Sequence, residues 1–405
     1  MYTTRTSCRV CGGALLPVLD LGEQCLPAWN PAAGMGGLAS PLELVRCGHR
    51  PCSLVQLRHT TDADLLWKDN PNYGYLSGIN QTMRQALASV TAGISSKIEL
   101  CPGDVVVDIG SNDGTLLRTY PSELNRIGFE PIRRFRAEAQ RGGSHIVSDY
   151  FDAGLYPPGP QAKAVSAVAM FYDLDDPNSF VEGVLKILCS DGVFVIQLSY
   201  LPLMLLQGDF LNICHEHLEY YSLQSLEYLL ARHGLRAFDA EINNVNGGSL
   251  RLYVDRGLRS PSFMLHALRE WEGYLELGFE SPYQQFVSNV ARTRRQLQRI
   301  VEEANEDGKT VYAYAASTKG SVLLQYCAFG PQHIKAVAER NEKKVGKFCA
   351  GSDIPVISEG EMREASPDYL LVLAWAFIDE FRQREKAWHD AGGRWIVPLP
   401  EVRVE

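Results

Sequence analysis

Val105-Val106-Val107-Asp108-Ile109-Gly110-Ser111-Asn112-Asp113-Gly114-Thr115-Leu116-Leu117 is the stretch whose reading decides the fold. A Val-rich apolar run, a glycine pair and a following apolar helical pattern predict a buried parallel strand turning sharply into a helix. Such a turn belongs at the C-terminal edge of a doubly wound sheet, where nucleotide-like ligands bind at the switch in strand order. The glycines allow the backbone to approach a ligand closely. The pattern Asp-x-Gly-x-x-x-Gly lacks the third glycine of the dinucleotide fingerprint and the Gly-Lys-Ser/Thr of a phosphate-cradling loop.

A ligand without phosphate suits the turn better. S-adenosylmethionine, a sulfonium with an amino acid tail, calls for carboxylates and backbone carbonyls, and Asp108, Gly110, Ser111, Asn112 and Gly114 make up the turn that would hold it. Glu130 ends a second apolar strand, Ile127-Gly128-Phe129-Glu130, where an acid can accept from both ribose hydroxyls. Asp149 ends a third, in Ser148-Asp149-Tyr150-Phe151, where its carboxylate could meet the adenine amino group beside an aromatic ring. The fourth strand, Ala164 to Met170, leads into Phe171-Tyr172-Asp173-Leu174-Asp175-Asp176-Pro177, and the fifth, Val193 to Leu198, carries Gln197 to the same edge. The bland alternative is an ordinary αβ turn.

A chain of 405 residues is too long for one core and implies two or three domains. The net charge of −9 and the lack of any Lys/Arg block argue against a nucleic acid partner and leave small molecules as the expected ligands. No apolar h-region opens the chain, and the longest apolar run, Tyr369 to Ile378, is too short to cross a bilayer, so no membrane partner and a cytoplasmic location are expected. Ten cysteines in a reducing compartment then read as thiols or metal ligands.

Cys8-x2-Cys11 and Cys47-x4-Cys52 match a tetrahedral zinc site with four cysteine ligands, against the alternative of four unrelated thiols. The second spacing is looser than usual, and His49 inside it is a possible substitute. The zinc would be a structural staple for a segment with little core of its own.

Four regions follow: a zinc-binding module over 1–70, a helical lid or linker over 71–100, a Rossmann-like cofactor domain over 101–260 and a second αβ domain over 261–405. The lid carries Tyr73, Tyr75 and Asn80 in a glycine-containing loop before an amphipathic helix from Gln81 to about Ile94. His215-Glu216-His217 clusters titratable groups. Histidines two apart share a side only on a strand, and the His-Glu-x-x-His helix motif is absent, so a general base oriented by a carboxylate is preferred over a catalytic metal. Asn246-Gly247 precedes a strand and could contact a polyhydroxylated ligand. A long helix from Tyr283 to Asn305 connects to a second strand-turn-helix, in which Ser317, Thr318 and Lys319 stand where an anion would sit.

The residues Cys8-Arg9-Val10-Cys11-Gly12-Gly13, Tyr73-Gly74-Tyr75, Ile109 to Leu117, His215-Glu216-His217, Asn246-Gly247-Gly248-Ser249 and Ser317-Thr318-Lys319-Gly320 together give a chain that resembles the bacterial nucleotide-deoxysugar C-methyltransferases over nearly its whole length. The resemblance implies a zinc module, a middle S-adenosylmethionine domain, and a C-terminal αβ domain like a second copy of the middle one that helps hold the sugar nucleotide. It also implies methylation of carbon 3 of a 4-keto deoxysugar, with His217 as base, Glu216 orienting it, and Tyr75 and His215 near the enolate oxygen. Tyr73, Asn80, Asn246, Gly247, Ser317, Thr318 and Lys319 become the expected substrate contacts. Cys214, Ala374-Trp375-Ala376-Phe377 and Asp353 depart from the family pattern, and Ala376 and Asp353 are expected to weaken a diphosphate site. Methyl transfer to oxygen or nitrogen, another reaction at the same base, and a non-catalytic scaffold are the rival readings. Oligomeric state is not legible.

Overall fold

The computed structural model describes residues 1–68, 70 and 73–405. Its central sheet has the strand order His145–Val147, Asn125–Phe129, Val105–Ile109, Ala162–Val168, Leu188–Ser199, Ser249–Asp255, Arg236–Asn243. The first five are parallel, and Ser249–Asp255 runs antiparallel to both its neighbours. Every residue of Val105–Ile109 is buried, as a strand covered on both faces requires. Strand order reverses around it, so the turn after Ile109 is the switch point.

The helix expected after that turn is a single 3-10 turn, Leu117–Thr119. Pro121 follows at once and steers the preceding residue out of the helical region. Arg118 also reaches back to the Asp113 carbonyl at 2.6 Å, tightening the turn.

A second sheet runs Val356–Ser358, Val337–Glu339, Val311–Tyr314, Tyr369–Val372, Arg394–Val397, Arg403–Val404, parallel except for the last strand. It repeats the reversal around its first strand, with Ala315-Ala316-Ser317 at the switch. The two αβ units are joined by helix Ser281–Glu306, whose buried Tyr283, Phe286, Val290, Thr293, Leu297, Val301 and Ala304 fall at the alternating three- and four-residue spacing of one apolar stripe. Helix Phe263–Leu275, expected with the second domain, instead packs on Arg236–Asn243 and buries Leu265 and Leu268 in the core of the first.

The N-terminal residues form an antiparallel sheet, Leu15–Cys25, Ala39–Cys47 and Val55–Leu57, whose outer strand is Glu219–Tyr220, contributed by the chain between Leu188–Ser199 and Arg236–Asn243 of the central sheet. Trp29–Asn30 pairs with Phe348–Cys349 of the C-terminal unit. Leu42, Leu44, Val55 and Leu57 share one core with Val311, Ala313 and Leu371, while Cys8, Cys47, Cys52 and Leu54 share another with Val107 and Phe194. This module is therefore wedged between both sheets and borrows its interior from each. Among the described residues, no helix is long and apolar enough to cross a membrane.

Gly110 and Gly114 both adopt left-handed backbone, at φ +75° and +76°. A Cβ on Gly114 would lie 2.6 Å from the Ala139 carbonyl oxygen, so this glycine serves a close approach of chain to chain. Gly114→Ala is expected to lower the unfolding free energy by about 2–4 kcal/mol, read from denaturant midpoints; an unchanged midpoint would contradict that contact.

Candidate active site

A cavity of about 750 Å³ opens at the second switch point, Ala315 to Ser317, while neither the glycine turn Gly110 to Gly114 nor Glu130 lines it. Ala169, Tyr172, Asp173, Cys214, Glu216 and His217 line it on the side of the first sheet. Ser317, Thr318, Lys319, Trp375 and Ala376 line the side of the second. Tyr73, Tyr75 and Asn80 come from the segment before helix Gln81–Lys97, and Asn246 from the turn before Ser249–Asp255. Asn72, in the same loop, lies outside the described residues.

His217 is held by its backbone and by one ring nitrogen. Its N–H donates to the Cys214 carbonyl at 3.0 Å, and its Nδ1 lies 3.0 Å from the Asn212 carbonyl oxygen. A carbonyl only accepts, so Nδ1 carries the proton and Nε2 keeps its lone pair. Nε2 has no hydrogen-bond partner among the described residues, and the residue lines the cavity. The Tyr172 ring backs the imidazole at 4.2 Å between centroids. Burial and then the Lys319 charge push the imidazole down to about 3, so it is neutral and able to accept a proton.

The orienting group is thus the Asn212 carbonyl, where a Glu216 carboxylate was expected. Glu216 faces the cavity, its Oε2 is without a hydrogen-bond partner, and burial pushes its carboxyl up to about 7. Asp173, which sequence reasoning placed only as part of a strand-end segment, joins it; its Oδ1 is likewise unpartnered, and burial raises its carboxyl well above the usual range. His215 goes elsewhere: Nε2 lies 3.0 Å from the Ser40 carbonyl oxygen in the N-terminal module, and the residue is 2% exposed. Alternation along an extended chain sends His215 and His217 to one side only if the strand is regular, and here it is a turn.

Around the glycine turn, Glu130 accepts the amides of Asn112 and Ile132, both at 2.8 Å, and burial lifts it to about 7. Asp108 accepts from the Ser166 hydroxyl at 2.7 Å and is also raised to about 7 by burial. The Ser111 hydroxyl is buried without a partner. The Asn112 side chain accepts from the Ser77 amide at 3.0 Å and donates to the Tyr75 carbonyl at 3.2 Å, closing the Tyr73–Ser77 segment onto the turn. Tyr73 lines both this cavity and a neighbouring one, and burial, followed by the charge of Glu130, raises its phenol well above the usual range.

Other expected cofactor contacts are engaged within the protein. Asp149 pairs with Lys68 at 3.2 Å and Tyr150 donates to Asp64 at 3.1 Å, tying the third strand end to the N-terminal module. Phe151 packs edge-on against Phe129, with ring centroids 5.0 Å apart. Gln197 accepts from Arg251 Nε at 2.7 Å, on the side of helix Gln81–Lys97, where Arg251 also bonds Ser89.

Of the expected substrate contacts, Ser317 and Asn80 cap their helices through Gly320 and Thr82 amides, and Gly247 sits against the Trp375 ring. Lys319 Nζ donates to Asn212 Oδ1 at 2.5 Å. Asp353 does not line the cavity; it accepts from the Gly34 amide at 3.0 Å. A second cavity of about 780 Å³ shares Trp29, Tyr73, Leu76, Lys343 and Lys344 with the first and adds Arg84, Arg118, Arg134 and Lys347 against Asp113 and Glu138. These cations come from separate segments, so no run of charge in the sequence announces them.

Cys8, Cys11, Cys47 and Cys52 bring their sulfurs within 4.8 Å of one another. The Cys8–Cys52 and Cys11–Cys47 separations are 3.8 and 3.4 Å. Tetrahedral coordination at about 2.3 Å places sulfurs about 3.8 Å apart, so the set fits a four-thiolate ion. Amides of Gly13 and His49 point at the Cys11 and Cys47 sulfurs, both at 3.4 Å. Hydrogen bonds from Cys47 and Cys52 push the Cys8 thiol down while the same contacts push Cys52 up, the conflict that a dication resolves. The His49 ring turns to Tyr228, at 5.5 Å, leaving Cys52 as the fourth candidate ligand.

A reversing parallel sheet with an antiparallel insertion strand, a glycine turn at its switch and an acid ending the next strand is the architecture of the S-adenosylmethionine-dependent methyltransferases. The family described as a methyltransferase domain matches residues 79–239, and the C-methyltransferase C-terminal domain matches 244–400. The chain is 33% identical over 420 residues to the C-methyltransferase NovU of Streptomyces niveus, spanning 98% of this chain and 96% of that one. The chain belongs to the C-methyltransferase family and is an S-adenosylmethionine-dependent methyltransferase. The non-catalytic alternative is set aside. Magnesium protoporphyrin IX methyltransferase (ChlM) from Synechocystis PCC 6803 with bound SAH matches at TM-score 0.36 and 15% identity over 46% of this chain and 91% of that one. A methyltransferase from Clostridium acetobutylicum ATCC 824 matches at TM-score 0.34 and 11% identity over 43% and 92%. At these scores neither structure adds to the assignment.

Burial holds His215 down to about 4 from its ordinary 6.5. As pH falls, the unfolded chain takes up that proton near 6.5 and the fold only near 4, so stability is lost across this window and is unaffected above it. His215→Gln is expected to flatten the unfolding free energy between those limits, by up to about 3 kcal/mol at the acid end. Parallel curves in denaturant titrations would contradict the assignment.

Proposed function

We propose that the enzyme methylates the carbon beside a ketone on a deoxysugar carried by a nucleoside diphosphate, at carbon 3 of a 4-keto sugar. The observation that carries this reading is the imidazole of His217, locked by a carbonyl on one nitrogen and open to the cavity on the other.

The ketone acidifies the neighbouring C–H, and Nε2 of His217 takes the proton while the electron pair moves onto the carbonyl oxygen. Tyr75 is 47% exposed and lines the cavity; with its phenol pushed up to about 12 by loss of solvation it stays protonated and is the assigned donor to that oxygen. Bound S-adenosylmethionine supplies an electrophilic methyl group. Transfer to carbon would break the sulfur–methyl bond and release S-adenosylhomocysteine, so rate depends on holding both molecules at attack distance, and Tyr73, which lines both cavities, is assigned to that positioning. Glu216 and Asp173, both raised by burial, are hydrogen-bond donors to sugar oxygens when protonated.

The basic outer cavity supports a diphosphate tail. Arg84, Arg118, Arg134, Lys343, Lys344 and Lys347 outnumber Asp113 and Glu138 there. An anion near Lys319 would also offset one of the two causes that depress His217, making the base stronger once substrate is bound.

For the thiolate cluster we assign zinc, as a structural ion with no open position. Elemental analysis is expected to find about one zinc per chain; folded, active protein without metal would return the four thiols to the core. His217→Ala is expected to leave S-adenosylmethionine affinity nearly intact while turnover, and solvent deuterium exchange beside the ketone, fall at least about 100-fold. Exchange at the wild-type rate would remove His217 as the base.

A further inference from the structure

We propose that Arg9 is a positioning residue that ties metal occupancy of the four-thiolate cluster to the orientation of His217; the inference rests on the reading of His217 as the base.

Arg9 lies between Cys8 and Cys11, yet its side chain is fully buried and reaches across to Val55–Leu57 and Glu219. One terminal nitrogen donates to the Leu57 carbonyl at 2.6 Å and to Gln56 Oε1 at 3.0 Å; the other donates to Thr60 at 2.6 Å. The Arg9 amide also reaches Gln56 Oε1, at 3.2 Å. Its Nε stands 3.5 Å from Asp175 and 3.7 Å from Glu219, whose side chain is fully buried.

Those partners lead to the residues on either side of His217. The Leu57 amide donates to the Leu218 carbonyl at 2.8 Å, and Gln56 pairs with Glu219 across the sheet. The Leu218 amide donates to the Tyr172 carbonyl at 2.7 Å, and Tyr172 supplies the ring behind the imidazole. Asp175, three residues beyond Tyr172, meets the same guanidinium. Both carboxylate oxygens of Glu219 and Arg9 Nε lack hydrogen bonds, and the guanidinium, shared with Asp175, is the cation that stands against the buried Glu219. A knuckle that opens on metal loss releases the Arg9 backbone and strands Glu219 as an uncompensated buried charge. The strand Glu219–Tyr220 then cannot stay in place, and the residue two positions earlier moves with it. The element this coupling requires to move is the knuckle, whose four sulfurs lie together here.

The test follows the His217 Nδ1–H resonance by NMR in full-length protein, beside metal content, cofactor affinity and kinetics. Arg9→Gln combined with Glu219→Gln removes both charges and keeps the interior neutral. This variant is expected to retain its metal and bind S-adenosylmethionine within about 2-fold of wild type, while the resonance shifts or broadens and kcat falls about 10-fold at nearly unchanged KM. Chelation of wild-type protein should produce the same spectral change, reversed by adding zinc alone. A resonance unchanged in both overturns the coupling. If the double variant does not fold, Arg9→Lys decides: a lower kcat with a perturbed resonance supports the role, and wild-type values of both overturn it. A resonance that responds while His217→Ala turns over normally keeps the coupling and removes the base; a silent resonance with an inactive His217→Ala does the reverse.

Discussion

The hydrogen bond between His217 Nδ1 and the Asn212 carbonyl sets the tautomer on which the cavity's chemistry depends. Asn212 is itself fixed from several directions. Its amide donates to Asp209 at 2.6 Å, its carbonyl receives the Tyr220 hydroxyl at 3.2 Å, and its side-chain oxygen receives Lys319 at 2.5 Å. Lys319 belongs to the second αβ unit, so the imidazole carried by one unit is aligned partly by a cation from the other. The same cation and the same burial that align the imidazole also depress its basicity. Alignment and proton affinity therefore oppose each other until a negative charge enters the cleft.

Three sheets are needed because no single one encloses the cavity. The first αβ unit contributes Ala169 to Asp173 and the His217 segment, the second its switch point, and the N-terminal sheet closes the gap by taking Glu219–Tyr220 as an outer strand and by pairing Trp29–Asn30 with Phe348–Cys349. Its apolar residues are divided between the two neighbouring cores. A module so dependent on its neighbours has little reason to hold its own shape, and a four-thiolate ion supplies what its interior lacks.

Local patterns were readable in the sequence because they reflect local physics. A buried parallel strand needs an apolar run, a left-handed turn favours glycine, and a thiolate cluster needs paired cysteines at short spacing; Val105–Ile109, Gly110 with Gly114, and Cys8 to Cys52 show all three. The dense tripeptide at His215 to His217 marked the right place in the chain but not the directions of its side chains, since a turn replaced the regular strand that alternation assumes. Asn212 was invisible as a ring holder because it acts through its backbone, which carries no residue signature. The basic outer cavity was invisible for a different reason: Arg84, Arg118, Arg134 and the lysines at 343, 344 and 347 meet only after the chain has folded. Pro121, plain in the sequence, was the overlooked sign that the helix after the glycine turn would stop within one turn.

The partners of the N-terminal sheet lie far along the chain: Gln56 pairs with Glu219 and Asn30 with Phe348. Contacts at such separations form slowly, and those from the carboxyl half are missing while synthesis is under way. Trp29–Asn30 and Val55–Leu57 are therefore among the last segments to reach their final place, although they precede their partners in the chain. Until then their strand edges lack partners, and the sheet that carries Cys47 is finished only as the cleft between the two αβ units is completed.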